Sequence, residues 1–180
     1  ILEASNHADK SSIIEKIIAG EQHISFAYAE PNIGYNFLDC ITTITNDGDD
    51  LSLDGSKSLV LNAGNANQFI VLATHEDVLS LVIIDAETKG LSVQNFKTLD
   101  GQTCGELTFE NVSLSKESIL ASGNEAKDLF NKMLDISILC NLSLFLIQII
   151  NPEPIPNINE TKLINTKSKT LIIIIYLKLK

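Results

Sequence analysis

The chain has no arginine, no tryptophan, one methionine and three cysteines in 180 residues. With no arginine and a net charge of -10, it has no means of building the clustered cationic surface that follows nucleic-acid phosphates, so nucleic acid is not an expected partner. Cys40, Cys104 and Cys140 form no CxxC pair and share no metal-ligand spacing with His7, His23 and His75. That pattern points to reduced, structural thiols in a cytoplasmic chain rather than to a disulfide framework or a metal site. No GxGxxG, Walker, GxSxG or HExxH pattern occurs, so neither a nucleotide fold nor a hydrolase follows from motifs. The apolar runs 142–150 and 171–179 fall short of the ~20 residues needed to cross a bilayer, and no membrane segment is expected. The sequon Asn111-Val112-Ser113 has no secretory signal before it and reads as a chance match. The chain opens on Ile1 and reads as beginning inside a longer one.

What is present is enough apolar residue, 44% of the total, for one substantial core with appendages. Ile13, Ile14, Ile17 and Ile18 recur at helical spacing within Ser11 to Ala19, and Gly20 is placed to end that helix. From Gln22 the pattern changes to short β-type runs: His23 to Ala29, Cys40 to Thr45, Phe69 to Thr74, Val78 to Ile84, Leu91 to Phe96 and Glu106 to Val112. Asn46-Asp47-Gly48, Asn62-Ala63-Gly64, Lys89-Gly90 and Asp100-Gly101 punctuate them. Many short strands at this spacing predict a mainly β fold, a barrel or sandwich with flanking helices. After Ser122 the helical period returns, with Ala126, Leu129, Phe130, Met133, Leu134, Ile136 and Leu139 on one face of a second helix beginning near Asn124.

Leu51 to Gly64 is the most informative stretch. Asp54-Gly55 suits the positive φ angles of a two-residue turn, so a hairpin is expected there, with Ser56 to Asn62 as the returning strand. In that strand Leu59 and Leu61 leave one face and Val60 the other. Asp47, Asp49, Asp50 and Asp54 crowd the neighbouring turns, but their spacing fails the EF-hand pattern and reads as a solvated acidic loop. Each histidine stands alone, without a nearby nucleophile to activate. From Asn141 to Lys180 the composition shifts to Ile, Leu, Asn, Lys and Thr, with no Gly, Ala, Val or Asp. This segment reads as an atypical tail, of the kind that reading through the end of a gene or into a wrong frame gives; the alternative is an unusual but genuine tail.

Read in order, Gly20-Glu21, Phe26-Ala27-Tyr28-Ala29-Glu30-Pro31-Asn32-Ile33-Gly34-Tyr35-Asn36, Leu53-Asp54-Gly55-Ser56-Lys57, Asn62 to Asn67, Gly90 to Val93 and Gly105 to Val112 closely resemble the acyl-CoA dehydrogenase family, over roughly residues 19–140. The resemblance implies a truncated α+β chain. Residues 1–20 would be the end of an N-terminal helical domain, 21–120 a middle β domain, 121–140 the start of a C-terminal helical domain, and 141–180 the tail. It also implies FAD as cofactor and oxidation of an acyl-CoA thioester between Cα and Cβ, with a glutamate taking the α proton and flavin N5 the β hydride. That glutamate lies in the family's C-terminal domain, past the matching region, so no catalytic residue is assigned here.

By the same resemblance the flavin-binding positions are Phe26, Tyr28, Ala29, Tyr35, Leu59 and Leu61, and the substrate positions are Tyr35 and Asn36. Several depart from the family pattern. Ala29 stands where a threonine or serine is usual, Gly34-Tyr35-Asn36 replaces Gly-Ser-Asp, and Leu59-Val60-Leu61 replaces Trp-Ile-Thr. The departures are similar to a divergent branch that includes the small subunits of pimeloyl-CoA dehydrogenases. The implied function is a fragment of a flavin-dependent acyl-CoA dehydrogenase, inactive alone. The alternative is a non-catalytic subunit of a heteromeric one. Partners would be an acyl-CoA and further acyl-CoA dehydrogenase subunits in a homo- or hetero-oligomer.

Overall fold

The structure is a computed structural model that describes residues 1–150 except Asn6, Asn32, Tyr35, Phe37, Asp49 and Asp100, without the side chains of Ala4 and of Cys140 onward. By contacts the chain divides into a unit Ile1–Asn131 and a second unit from Lys132. Of the second, residues 132–150 are described, and all are helical. The expected tail at 151–180 lies outside the described residues.

The first unit holds helix α1 (Lys10–Ala19), strands β1 (Ile24–Ala27), β2 (Thr43–Asp47), β3 (Asp50–Leu61), β4 (Gln68–His75), β5 (Val78–Asp85), β6 (Leu91–Lys97), β7 (Thr103–Leu114) and β8 (Ile119–Ser122), and the opening of helix α2 (Asn124–Ile150). Helix α1 ends as its sequence predicts. Gly20 takes φ 77 and its N–H bonds back to Ile17 and Lys16 carbonyls, a conformation that a side chain would disfavour. Strand β8 is too short and its apolar pattern too brief to have been legible beforehand.

The strands form one sheet in the order β6-β7-β3-β2-β4-β5-β8, with β1 added in parallel to β4. The hydrogen-bonded path is open, with β6 and β8 at its ends, so the sheet does not close on itself into a hydrogen-bonded barrel. Ala27, Ile44, Leu53, Phe69, Val71, Val82, Leu107 and Val112 are among the residues that fill its core. In β4 and β5 the residues pointing the other way are buried too, with Ile70, Leu72, Leu81 and Ile83 at most 6% exposed. Burial on both faces explains why these two strands read as continuous apolar runs rather than alternating ones. They join through Glu76 and Asp77, at φ 50 and 62, the left-handed pair that a two-residue hairpin needs.

The expected hairpin at Asp54-Gly55 is not there. Strand β3 runs unbroken from Asp50 to Leu61; the hairpin lies one turn earlier, where Asp47 pairs with Asp50 and Gly48 takes φ 64. Asp54-Gly55 instead sits at a bulge opposite β7, where register slips between Leu53/Val112 and Gly55/Phe109. Each residue has a distinct task there. The Asp54 carboxylate accepts the N–H of Asn111 at 2.8 Å, supplying the bulged amide with the partner the ladder cannot give. Gly55, at φ 140, passes Thr42 so closely that a Cβ would lie 2.8 Å from the Thr42 Cα. The dipeptide favours positive φ, and a bulge uses that property as readily as a turn does.

Candidate functional site

A second bulge, further along β3, sets the orientation of the site. Leu51 and Leu53 point inward, and by alternation so does Lys57. The next residue in that phase is Leu59, which would also be buried in a regular strand. Register instead slips between Lys57/Leu107 and Val60/Gly105, with Leu59 in the left-handed region at φ 53. The slip reverses the phase. Val60 turns in at 1% exposure, while Leu59 and Leu61 turn out at 61% and 60%, so the two leucines share one exposed strip.

That strip abuts the end of β1. The Ser58 N–H donates to the Ala29 carbonyl at 2.8 Å, which ties the flavin-site candidate Ala29 to the bulge carrying Leu59. Phe26 and Tyr28 are half-buried and stack with centroids 5.3 Å apart. Phe130, from the second turn of α2, meets both rings at 6.0 and 5.9 Å and is 2% exposed. The structure therefore brings together Phe26 with Tyr28, and Ala29 with the Leu59 bulge. Asn36 is exposed and its amide donates to the Asp39 carboxylate. Tyr35 lies outside the described residues.

Behind the strip is a polar cluster that sequence reading did not assign. Lys57, with a wholly buried side chain, donates to Glu30 Oε1 at 2.6 Å, and Glu30 is 1% exposed. The same oxygen accepts the Thr42 N–H at 2.9 Å and the Cys40 thiol at 3.0 Å, while Oε2 accepts the Ile41 N–H at 2.9 Å. Lys57 Nζ also lies 3.4 Å from Cys40 Sγ and 3.5 Å from the Tyr28 carbonyl. A signal for Lys57 was available, since it is in phase with Leu51 and Leu53. Taking Asp54-Gly55 as a turn reset the alternation and hid it.

The electrostatics follow from that contact set. Burial works to raise the Glu30 pKa, but hydrogen bonds from Lys57, Thr42 and Cys40, together with the Lys57 charge, outweigh it and hold the carboxyl down at about 2. Burial pushes the Cys40 thiol up to about 11; the Lys57 charge opposes the shift and Glu30 reinforces it. At neutral pH Glu30 is therefore a paired carboxylate of very low basicity and Cys40 an unreactive thiol. Neither suits proton abstraction or nucleophilic attack. The cluster can hold structure in place but cannot perform the chemistry.

No other constellation gathers catalytic groups among the described residues. His75 Nε2 contacts only the Asn46 side chain, at 3.3 Å, and His7 Nδ1 accepts its own turn's Asp9 N–H at 3.2 Å. No group of metal-ligating side chains is present among the described residues, and no helix there is long and apolar enough to cross a membrane. A cavity of about 580 Å³ between α1 and the sheet is lined by polar side chains such as Lys16, Gln22 and Asp85, away from the strip. An isoalloxazine ring placed on the strip would meet apolar surface from Leu59 and Leu61, whose bulge is tied to Ala29 through Ser58. Neither leucine can form a side-chain hydrogen bond to the ring.

Fold and site together define a β domain with an apolar strip braced from behind by a buried ion pair, entered and left by helices. Residues 25–112 match the family model for the acyl-CoA dehydrogenase middle domain, and the chain is similar to curated acyl-CoA dehydrogenases. It is 28% identical over 142 residues to glutaryl-CoA dehydrogenase of Desulfococcus multivorans, covering 74% of this chain and 36% of that protein. Among solved structures, glutaryl-CoA dehydrogenase of Mycobacterium smegmatis in complex with FADH2 superposes with a TM-score of 0.63 at 26% identity, covering 68% of this chain and 33% of the other. The ChsE4-ChsE5 complex of Mycobacterium tuberculosis shares the fold with a TM-score of 0.68 at 21% identity, covering 74% and 37%. The chain spans about a third of the length of these relatives.

Proposed function

We propose that this chain is the middle-domain portion of a flavin-dependent acyl-CoA dehydrogenase, that it serves α,β-oxidation of an acyl-CoA thioester, and that it is inactive alone. The observation that carries the reading is the exposed apolar strip of Leu59 and Leu61, on a bulge bonded to Ala29 through Ser58, within the segment that matches the family model. FAD, when bound, would supply the hydride acceptor. Leu59 and Leu61 would pack on its ring, Phe26, Tyr28 and Ala29 would border it, and Tyr35 and Asn36 would lie on the acyl-CoA side. Glu30, the one buried carboxylate among the described residues, is committed to Lys57, and by the family resemblance the proton-abstracting base would come from the C-terminal helical domain, past the matching region. Residues 1–20, 21–120 and 121–140 would then be the end of one helical domain, the β domain and the start of another, in a reducing cytoplasm that keeps Cys40 and Cys104 free.

The test is to express the gene with its natural flanking sequence. A yellow protein that reduces a dye when given an acyl-CoA supports the reading. A colourless product that stays inactive with excess FAD removes it.

The leucines favour a second reading, a subunit that keeps the β domain for assembly while a partner subunit performs the chemistry. Losing a hydrogen bond to a ligand group costs about 0.5–1.5 kcal/mol, a weakening that a subunit without its own turnover would tolerate. The ChsE4-ChsE5 complex is an assembly of named components with this fold. Co-purification with a flavin-bearing relative supports this second reading, and an active homo-oligomer excludes it.

A further inference from the structure

Glu30 and Lys57 sit behind the strip rather than in it. Their side chains are 1% and 0% exposed, so neither can touch a ligand on that surface. What they touch is backbone of neighbouring segments. Glu30 takes the amides of Ile41 and Thr42 at 2.9 Å each, fixing the place where segment 31–40 returns to the sheet. Lys57 reaches the Tyr28 carbonyl at 3.5 Å. One residue later Ser58 bonds Ala29 at 2.8 Å, and the left-handed Leu59 follows. A single carboxylate-ammonium contact thus joins the end of β1, the approach to β2 and the bulge of β3.

We propose that Glu30 and Lys57, with the Cys40 thiol as third member, are positioning residues for the strip, holding Ala29 and the Leu59 bulge in fixed register so that one surface faces the flavin. This rests on the flavin reading above. The bulge needs such a support. A leucine at φ 53 occupies a region that L residues with bulky side chains avoid, and it persists only where its surroundings over-determine it. A regular pleat would relieve the strain and carry Leu59 inward. The nearest over-determining element is the buried pair two residues back. A well-packed apolar replacement of such a pair often folds as well or better, so fold stability alone gives no reason for a lysine at this position. Fixing a local geometry does.

The test compares Lys57→Met with the double variant Glu30→Gln/Lys57→Met, by hydrogen exchange at single amides in the 180-residue chain and by FAD titration of the protein with its natural flanking sequence. In both variants we expect exchange at Ser58 and Ile41 to accelerate at least tenfold relative to the β4–β5 ladder amides of Val71 and Val82, and the FAD dissociation constant to rise at least tenfold. The double variant, which leaves no unpaired charge, should regain the wild-type melting temperature without regaining those protections or that affinity. A purely structural pair would be rescued in all three readouts by the double variant, and that result overturns the proposal. So does uniform acceleration over the whole sheet, even if Lys57→Met alone fails to fold. If the wild-type protein takes up no FAD, the flavin reading fails by itself, and the exchange pattern still decides whether the pair holds the bulge.

Discussion

Replacing Lys57 by methionine removes a charge at nearly constant volume and leaves Glu30 buried without its cation. Two estimates of the cost can be set side by side. Breaking a buried pair by removing one partner typically destabilises by about 3–5 kcal/mol. Independently, a carboxyl held at about 2 against its ordinary 4.5 corresponds to roughly 3 kcal/mol, at about 1.4 kcal/mol per tenfold change in proton affinity. The two figures are of one order, and the depressed carboxyl carries a pH signature. A depressed carboxyl pKa stabilises the fold above its unfolded value and loses that contribution as pH falls through the folded one. The gap between wild type and Lys57→Met should therefore be full at pH 7 and narrow as pH drops from 4.5 toward about 2. Urea denaturation at several pH values reads this directly, and at pH 7 the melting temperature should fall by roughly 10–20 °C. A gap below about 1 kcal/mol at pH 7, or one unchanged down to pH 3, would refute the reasoning, because both figures require an ionised Glu30 that has lost its cation.

Gly55→Ala should destabilise by roughly 2–4 kcal/mol, since its Cβ would meet the Thr42 backbone at 2.8 Å, whereas Gly101→Ala, with φ 81 but nothing within 4 Å, should cost only about 1 kcal/mol in the same urea assay. Equal costs would mean that the contact with Thr42 is unimportant. Phe130→Ala removes a 2% exposed ring from the cluster with Phe26 and Tyr28, and a loss of about 3–5 kcal/mol is expected, with a change in the near-ultraviolet circular dichroism of Tyr28. A variant as stable as wild type would show that α2 is not anchored there. Cys40 is partly exposed, yet its thiol is held at about 11, so labelling by a maleimide should be slow at pH 7 and accelerate only in strongly alkaline buffer. Rapid labelling of the native chain at neutral pH would contradict the geometry of the cluster.

Most of the fold was legible because its signals are local. The periodic isoleucines and Gly20 give α1 to within a residue, and the paired apolar runs give β4 and β5 nearly whole. Asp54-Gly55 misled for a specific reason. Its preference for positive φ is real, but whether the chain reverses or bulges there depends on β7, whose Asn111 N–H is the partner of Asp54 and lies far along the sequence. The candidate site was half legible in the same way. That Leu59 and Leu61 share a face follows from spacing; that this face is outward does not, because regular alternation from Leu53 would bury both. The cluster of Glu30, Cys40 and Lys57 draws on separate segments, and only the folded sheet brings them within bonding distance.

The two costly features of this sheet lie two residues apart, and the one makes sense of the other. Strand β3 carries a buried lysine at Lys57 and a left-handed leucine at Leu59, each unfavourable alone. An unbulged strand would place residues 57, 59 and 61 on one inward face, giving a core of two leucines and a lysine and leaving no apolar strip outside. The bulge takes the leucines out of that core, and the pair with Glu30 gives the remaining lysine a partner that also grips the neighbouring backbone. Local rules broken together at one place are the pattern expected where function rather than folding sets the residues. Among the described residues no second position combines a buried charge with an outlying backbone angle beside exposed apolar side chains. On the function proposed above, a test for bound ligand starts at Leu59 and Leu61.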